Sequence, residues 1–279
     1  MSRLMETFTV GNAEIAALSD GAPDRDMSSF FRDFDAEGWT RALGLTKPDD
    51  PIPFNFGTFL IRSGTEVVLV DSGFGTAGSQ TGAPGGGELP ARLRDLGVDA
   101  GEITAVVHTH LHPDHCGWDL DLPGEGELSF PNATVYVHQK DVDHFMGSEE
   151  SQFTRTAKRV VAALQQGNRL SPIDGEQTVT PSVTMIPTPG HTPGHCSVMV
   201  ASGGEHLVIT GDAAHHPLQF EHHDWIPAVD IDPEASVASR GKLANLAADR
   251  QALVTGGHWP ILTTGHVRRV ESGFKWEPA

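Results

Sequence analysis

His110-Leu111-His112-Pro113-Asp114-His115 is the stretch that decides how this chain is read. It follows an apolar run, Ile103 to Val107, with the character of a buried β-strand. Imidazoles two positions apart, then a carboxylate and another imidazole, make a poor core. They make good metal donors, because neutral imidazole nitrogen and carboxylate oxygen both suit zinc. A tight loop after a strand can aim all of them at one small volume. The segment therefore reads as half of a metal cradle, whose other ligands must come from elsewhere in the chain.

Three later segments supply candidates. Pro189-Gly190-His191-Thr192-Pro193-Gly194-His195 follows a strand ending at Ile186, and its prolines and glycines force a tight turn that projects His191. Leu207-Val208-Ile209-Thr210-Gly211-Asp212 sets a carboxylate just after an apolar strand, and Leu253-Val254-Thr255-Gly256-Gly257-His258 does the same with an imidazole. Each is an apolar strand, a tight turn, then a ligand. Chance can make any one of these; their recurrence in one chain points to a built site.

Around these segments, strands and helices come in two blocks. Glu6 to Val10 and Glu14 to Leu18 read as a hairpin turning at Gly11-Asn12, and Thr58 to Arg62 with Val67 to Asp71 as another. Leu89, Leu93 and Leu96 mark a short helix, Thr134 to Val137 a strand, and Lys140 to Phe145 and Phe153 to Leu164 two helices. In the second block Val183 to Ile186, Ser197 to Val200, Leu207 to Thr210 and Ala252 to Thr255 are strands, and Glu234 to Ala248 is a helix. Two sheets face to face with helices outside would bury all of them. Asp24 to Pro53 is irregular and aromatic, either a lid or pocket wall or a packed surface excursion. Gly73 to Gly87 is glycine-rich but lacks the GK[ST] ending of a phosphate loop. No linker divides the chain, so residues 1–279 are expected to form a single domain.

The formal net charge of −18, with only 19 scattered basic residues, argues against nucleic acid as a partner. Two cysteines, Cys116 and Cys196, make no disulfide scaffold. With no apolar stretch near the length of a membrane span and no secretory pattern at Met1 to Val10, the expectation is a cytoplasmic protein without a membrane partner.

The order HxHxDH, PGHTPGH, GD after a strand and GGH resembles the metallo-β-lactamase superfamily, from about Thr58 to His266. That resemblance implies an α/β fold, an αββα sandwich of two mixed sheets with helices outside and the site at the strand ends. It also implies two divalent metal ions, zinc in first place with manganese, iron or cobalt as substitutes. Carried over by position, His110, His112 and His191 would hold one ion, Asp114, His115 and His258 the other, and Asp212 would bridge them. Asp71 matches the family's supporting aspartate. Among the other histidines, His108, His138 and His144 read as structural, His195 as a support, and His215 and His216 as candidates to line the pocket.

Such a pair of dications would deliver a hydroxide to an electrophilic carbonyl or phosphoryl centre, with Asp114 or Asp212 moving the proton. The tail, including Asp230-Ile231-Asp232-Pro233 and Gly256-Gly257-His258-Trp259-Pro260, is similar to the N-acyl-homoserine lactonase and methyl parathion hydrolase branch. A lactonase acting on a small lactone or ester is thus the leading expectation. Hydrolysis of organophosphate triesters or aryl esters is the alternative, and a mononuclear iron persulfide dioxygenase a further one. The resemblance also allows a homodimer. One departure stands out. Lactonases of this type carry a tyrosine shortly after the bridging aspartate, whereas the lone tyrosine here, Tyr136, lies in a strand; His215 or His216 would have to stand in. Phe30, Phe31, Trp118 and Trp225 are candidates for an apolar acyl pocket.

Overall fold

The computed structural model describes residues 4–32, 34–75, 87–122, 124–260 and 263–279. Two large sheets dominate it, each of seven strands in simple sequence order. The first contains β1 (Met5–Val10), β2 (Ala13–Ser19), β3 (Gly57–Ser63), β4 (Glu66–Val70), β5 (Ala105–Val107), β6 (Thr134–His138) and β7 (Leu170–Ile173). β1 to β4 pair antiparallel; β4 to β7 run parallel. The second contains β8 (Gln177–Thr180), β9 (Val183–Pro187), β10 (Cys196–Ser202), β11 (Glu205–Ile209), β12 (Leu253–Thr255), β13 (Gly265–Val270) and β14 (Gly273–Pro278). Only β11 and β12 pair in parallel there.

Parallel neighbours need crossovers, and helices provide them. After α1 (Ala36–Leu43) in the aromatic segment, α2 (Leu89–Asp95) links β4 to β5 and the single turn α3 (Pro113–Cys116) follows β5. α4 (Gln139–Gly147) and α5 (Arg155–Gln166) link β6 to β7, and α6 (Pro233–Arg250) links β11 to β12.

The side-chain alternation of the strands explains the layering. Phe59, Ile61, Val68, Val70 and Val107 point from the first sheet into a core shared with Val183, Val198, Leu207 and Ile209 of the second. Their neighbours Leu60, Leu69 and Val106 face the other way, onto Leu93, Val142, Phe145 and Val160 of the helices. On the far side, Val208 and Val254 pack on Leu243, Ala244 and Ala247 of α6. The central strands are buried on both faces, hence their continuous apolar runs. The result is the αββα sandwich, and its layers leave the turns after β4, β5, β9, β11 and β12 at one end.

The segment expected to be irregular, Asp24 to Pro53, has its own order. Asp24–Arg25 pairs with Ile52–Pro53, and Phe31–Arg32 with Ile226–Pro227. Asp35 caps α1 by accepting from the Gly38 N–H, and Gly44 ends it at φ +64°. Met27, Phe31, Trp39, Phe54, Phe56 and Trp225 form a fourth apolar cluster there. Most of the glycine-rich stretch lies outside the described residues. Among the described residues, no helix is long and apolar enough to cross a membrane.

Candidate metal centre

The turns at that end bring together every donor singled out in the sequence. The loop after β5 presents His110 and His112, and α3 presents Asp114 and His115. The turn after β9 presents His191, the short 3-10 turn after β11 Asp212, and the turn after β12 His258. Gly211 sits at φ +54°, and a Cβ there would meet His195 Nε2 at 2.6 Å. Glycine is therefore what allows the chain to turn tightly enough to aim Asp212.

His112 Nδ1 lies 2.9 Å from His110 Nε2 and 2.9 Å from His191 Nε2. Asp212 Oδ2 approaches the same group, 3.2 Å from His191 Nε2 and 3.7 Å from His110 Nε2. Its other oxygen faces a second group, 3.3 Å from His115 Nε2 and 3.2 Å from His258 Nε2. Asp114 Oδ2 completes that group at 3.4 Å from His258 Nε2, and the two imidazole nitrogens are 3.2 Å apart. Within each set, His110, His112, His191 and Asp212 or Asp114, His115 and His258, the donor atoms lie within 4.8 Å of one another.

Lone pairs crowded together in this way repel unless a cation sits among them. Asp212 Oδ1 is buried and accepts no hydrogen bond. The donor chemistry and this orphaned oxygen both fit divalent metal ions of the borderline kind that His/Asp sites take.

Three of the rings, His115, His191 and His258, are turned inward by a contact at the outer nitrogen, the kind of support that ligating histidines use. His191 Nδ1 meets Asp230 Oδ1 at 2.9 Å, His258 Nδ1 meets the Asn55 carbonyl at 2.7 Å, and His115 Nδ1 meets Asp71 Oδ2 at 2.8 Å. Asp71 also accepts from the Thr109 N–H and hydroxyl, both at 2.8 Å, which ties β4 to the donor loop. It does so at φ +57°, a left-handed conformation that aspartate tolerates better than most residues. His195 stands behind the cluster. Its Nε2 accepts the Asp212 N–H at 2.9 Å, and its Nδ1 faces the Thr188 carbonyl. His108 is packed away against Asp119 at 2.7 Å.

Electrostatics divide the cluster. Burial holds His110 well below the ordinary imidazole range and His112 down at about 3, so both stay neutral donors. Burial opposes charge on His115 too, but Asp212, Asp71 and Asp114 outweigh it and hold that ring well above its ordinary value. Burial likewise opposes ionisation of Asp212, and the surrounding imidazoles, His258 and His115 foremost, overcome it and keep the carboxylate ionised.

A cavity of about 380 Å³ opens onto the donors. His112, Asp114, His191, Asp212, His215 and His258 form its floor, and Arg25, Phe30, Phe54, Phe145, Phe153 and Val229 its walls and mouth. His215 Nε2 lies 3.0 Å from Asp212 Oδ2. His216 turns away: its Nδ1 accepts the Leu218 N–H at 3.2 Å, and its ring meets Trp39 at 5.0 Å. Of the proposed acyl-pocket aromatics only Phe30 reaches the cavity. Phe31 and Trp225 lie in the apolar cluster behind the wall, and Trp118 in the core beneath the helices, where it donates to Asp20 at 3.0 Å. His144, read from sequence as structural, borders the cavity. Asn55, with no chemical motif around it, was invisible as a support in the sequence.

A two-sheet sandwich with paired His/Asp donor sets at its strand ends defines a class of metal-site proteins, and family comparison agrees. The chain belongs to the metallo-beta-lactamase superfamily, whose model matches residues 58–258. AttM of Azorhizobium caulinodans, an N-acyl homoserine lactonase, is 30% identical over 181 residues, 61% of this chain and 63% of the relative. AiiA of Bacillus thuringiensis subsp. kurstaki, also an N-acyl homoserine lactonase, is 25% identical over 169 residues, 60% of each chain. These matches span less than two thirds of the relatives' length. Among solved structures, AidC, a dizinc quorum-quenching lactonase in complex with a product, superposes with a TM-score of 0.86 at 25% identity, covering 99% of this chain and 97% of that one. AbOPH, a hydrolase in the beta lactamase superfamily, gives 0.84 at 25% identity, with 100% and 98% covered.

Proposed function

We propose that this protein is a dinuclear metal-dependent hydrolase that opens lactones of the N-acyl-homoserine type. The observation that carries the reading is the pair of donor sets sharing Asp212, one carboxylate oxygen turned to each, at the floor of a cavity large enough for a small acyl lactone. His110, His112 and His191 would hold one ion, Asp114, His115 and His258 the other, with Asp212 between them. Zinc is the first choice, since AidC is a dizinc enzyme. When bound, two such ions supply Lewis acidity toward a carbonyl oxygen and bring the pKa of water down to about 7.

The chain's own groups do the remaining work. Asp114, whose side chain is 22% exposed at the cavity floor, is placed to accept a proton from the attacking water and return it to the leaving alcohol. Asp212 is held ionised and serves as the shared ligand. His215, next to Asp212 and edge-on to Phe30 at 4.9 Å, takes the place of the absent tyrosine and orients the substrate oxygen. His216, with its ring on Trp39, is left out of this role.

Aryl esters and organophosphate triesters are the second reading, favoured by the aromatic walls Phe30, Phe54 and Phe145. Two complete donor sets weigh against a single-iron dioxygenase. The test is an activity panel on metal-loaded protein: an N-acyl-homoserine lactone, an aryl ester, a phosphotriester and a β-lactam. Fastest turnover is expected on the lactone, with His112→Ala abolishing it. Exclusive turnover of the phosphotriester would move the assignment to the second reading.

A further inference from the structure

Among the described residues the lining of the cavity carries a single guanidinium, that of Arg25, held against two aromatic rings. Arg25 is fixed by the short ladder Asp24–Arg25 against Ile52–Pro53, and the Phe54 N–H that follows donates to the Pro23 carbonyl at 2.9 Å. Its guanidinium carbon lies 4.8 Å from the Phe54 ring and 5.5 Å from the Phe56 ring. Phe54 in turn stacks on the proposed ligand His258 at 4.3 Å and 20°, and His258 on His215 at 5.4 Å and 6°. The column Arg25, Phe54, His258, His215 thus runs from the mouth to the donors. Among the described residues Arg25 makes no side-chain hydrogen bond or salt bridge, so its planar fork of donors is unspent. Among the described residues it is also the only Arg or Lys lining this cavity. Phe153 and Val229 share the lining with exposures of 60% and 53%, an apolar surface open to solvent at the mouth.

We propose that Arg25 is the specificity-determining residue of this site. Its guanidinium receives an acceptor oxygen on the substituent of the substrate, remote from the scissile carbonyl, while Phe153 and Val229 cover the apolar remainder of that substituent. The preferred ligand class is therefore an acyl-substituted lactone or its ring-opened carboxylate rather than a bare lactone ring. This rests on the lactone-hydrolase reading above, and a binding arm tests Arg25 separately from turnover.

The experiment compares wild type, Arg25→Ala and Arg25→Lys, each carrying its full metal content, on an N-acyl-substituted γ-lactone and on unsubstituted γ-butyrolactone. Arg25→Ala should raise KM for the substituted lactone about tenfold or more, leave its kcat nearly unchanged, and shift the bare lactone less than twofold. Lysine should restore only part of the loss, lacking the planar fork. A fall in kcat on both substrates would mean that Arg25 acts through the Phe54–His258 stack, and would overturn the proposal, as would no change on either. Calorimetric binding of the ring-opened acyl amino acid supplies an arm independent of turnover. Should wild type hydrolyse neither lactone, the hydrolase reading fails, yet a tenfold weaker affinity in Arg25→Ala would still support the role of Arg25. Equal affinity would overturn it.

Discussion

The donor cluster and the aromatic wall of the segment from Asp24 to Phe56 face each other across one cavity, and they are held in place differently. At the cluster the outer nitrogens of His115, His191 and His258 each have a fixed polar partner, at 2.8, 2.9 and 2.7 Å. Behind the wall the contacts are rings on rings: Trp39 on Trp225 at 5.6 Å, Phe31 on Trp39 at 5.8 Å and Phe31 on Trp225 at 6.1 Å. Directional contacts fix a ring to the tolerance that ligation requires. Apolar packing fixes shape and volume, and many side chains can provide that. The chemistry should therefore depend on the identity of residues at the cluster, and substrate choice on the wall.

Substitutions can break that division. Asp212→Ala removes the proposed shared ligand and should cut hydrolysis on the order of 10³-fold or more, with metal content falling below two ions per chain. Full turnover in that variant would end the two-ion account. Trp225→Ala strikes the wall instead, where the side chain is only 1% exposed. It should cost about 3–5 kcal/mol of stability, read by denaturant unfolding, while the folded protein keeps its metals. Loss of metal at full folding would show that the two regions are not separable. Asp230→Ala leaves the ligands intact but frees His191, so metal affinity should drop about 10- to 100-fold in a chelator competition.

Acid should loosen the metal-free protein in a defined window. Burial holds His112, His195 and His216 at about 3, against an ordinary 6.5. Above pH 6.5 these rings are neutral in both states, and their stabilising contribution is fully present. Below it the unfolded chain takes up protons that the folded chain refuses until about pH 3. Stability should then fall by about 1.4 kcal/mol per pH unit per ring as the solution is acidified. His115 and His191, held above their ordinary values, are protonated in both states there and do not offset the loss. A denaturation midpoint that stays flat between pH 6.5 and 5 would contradict this.

The same contrast explains what the sequence revealed. Every proposed ligand follows a buried apolar strand or lies in the turn beyond it, and that pattern is local, so it can be read along the chain. The partners Asp230 and Asn55 reach their histidines across 39 and 203 residues, and no local pattern signals such contacts. Aromatic composition marks the wall without giving its direction, so Phe31, Trp118 and Trp225 stand as candidates for a pocket they do not line, while Phe54 and Phe145 line it without a signal in the sequence. His144 was read as structural because it sits on a helix, whose face toward the cavity depends on packing. The missed strands have physical causes as well. β7 contains Pro172 and lies at a sheet edge, as a strand proline should. β13 and β14 expose charged residues on both faces near their shared turn, such as Arg268, Arg269 and Lys275, which dilute the apolar signal.

The central claim is that the seven converging donors hold a pair of ions around Asp212. Elemental analysis of wild-type protein and Asp212→Ala, each loaded with zinc and dialysed against metal-free buffer, tests it most directly. The account predicts two zinc ions per wild-type chain and fewer in the variant. One ion per wild-type chain, or equal content in both proteins, would contradict it.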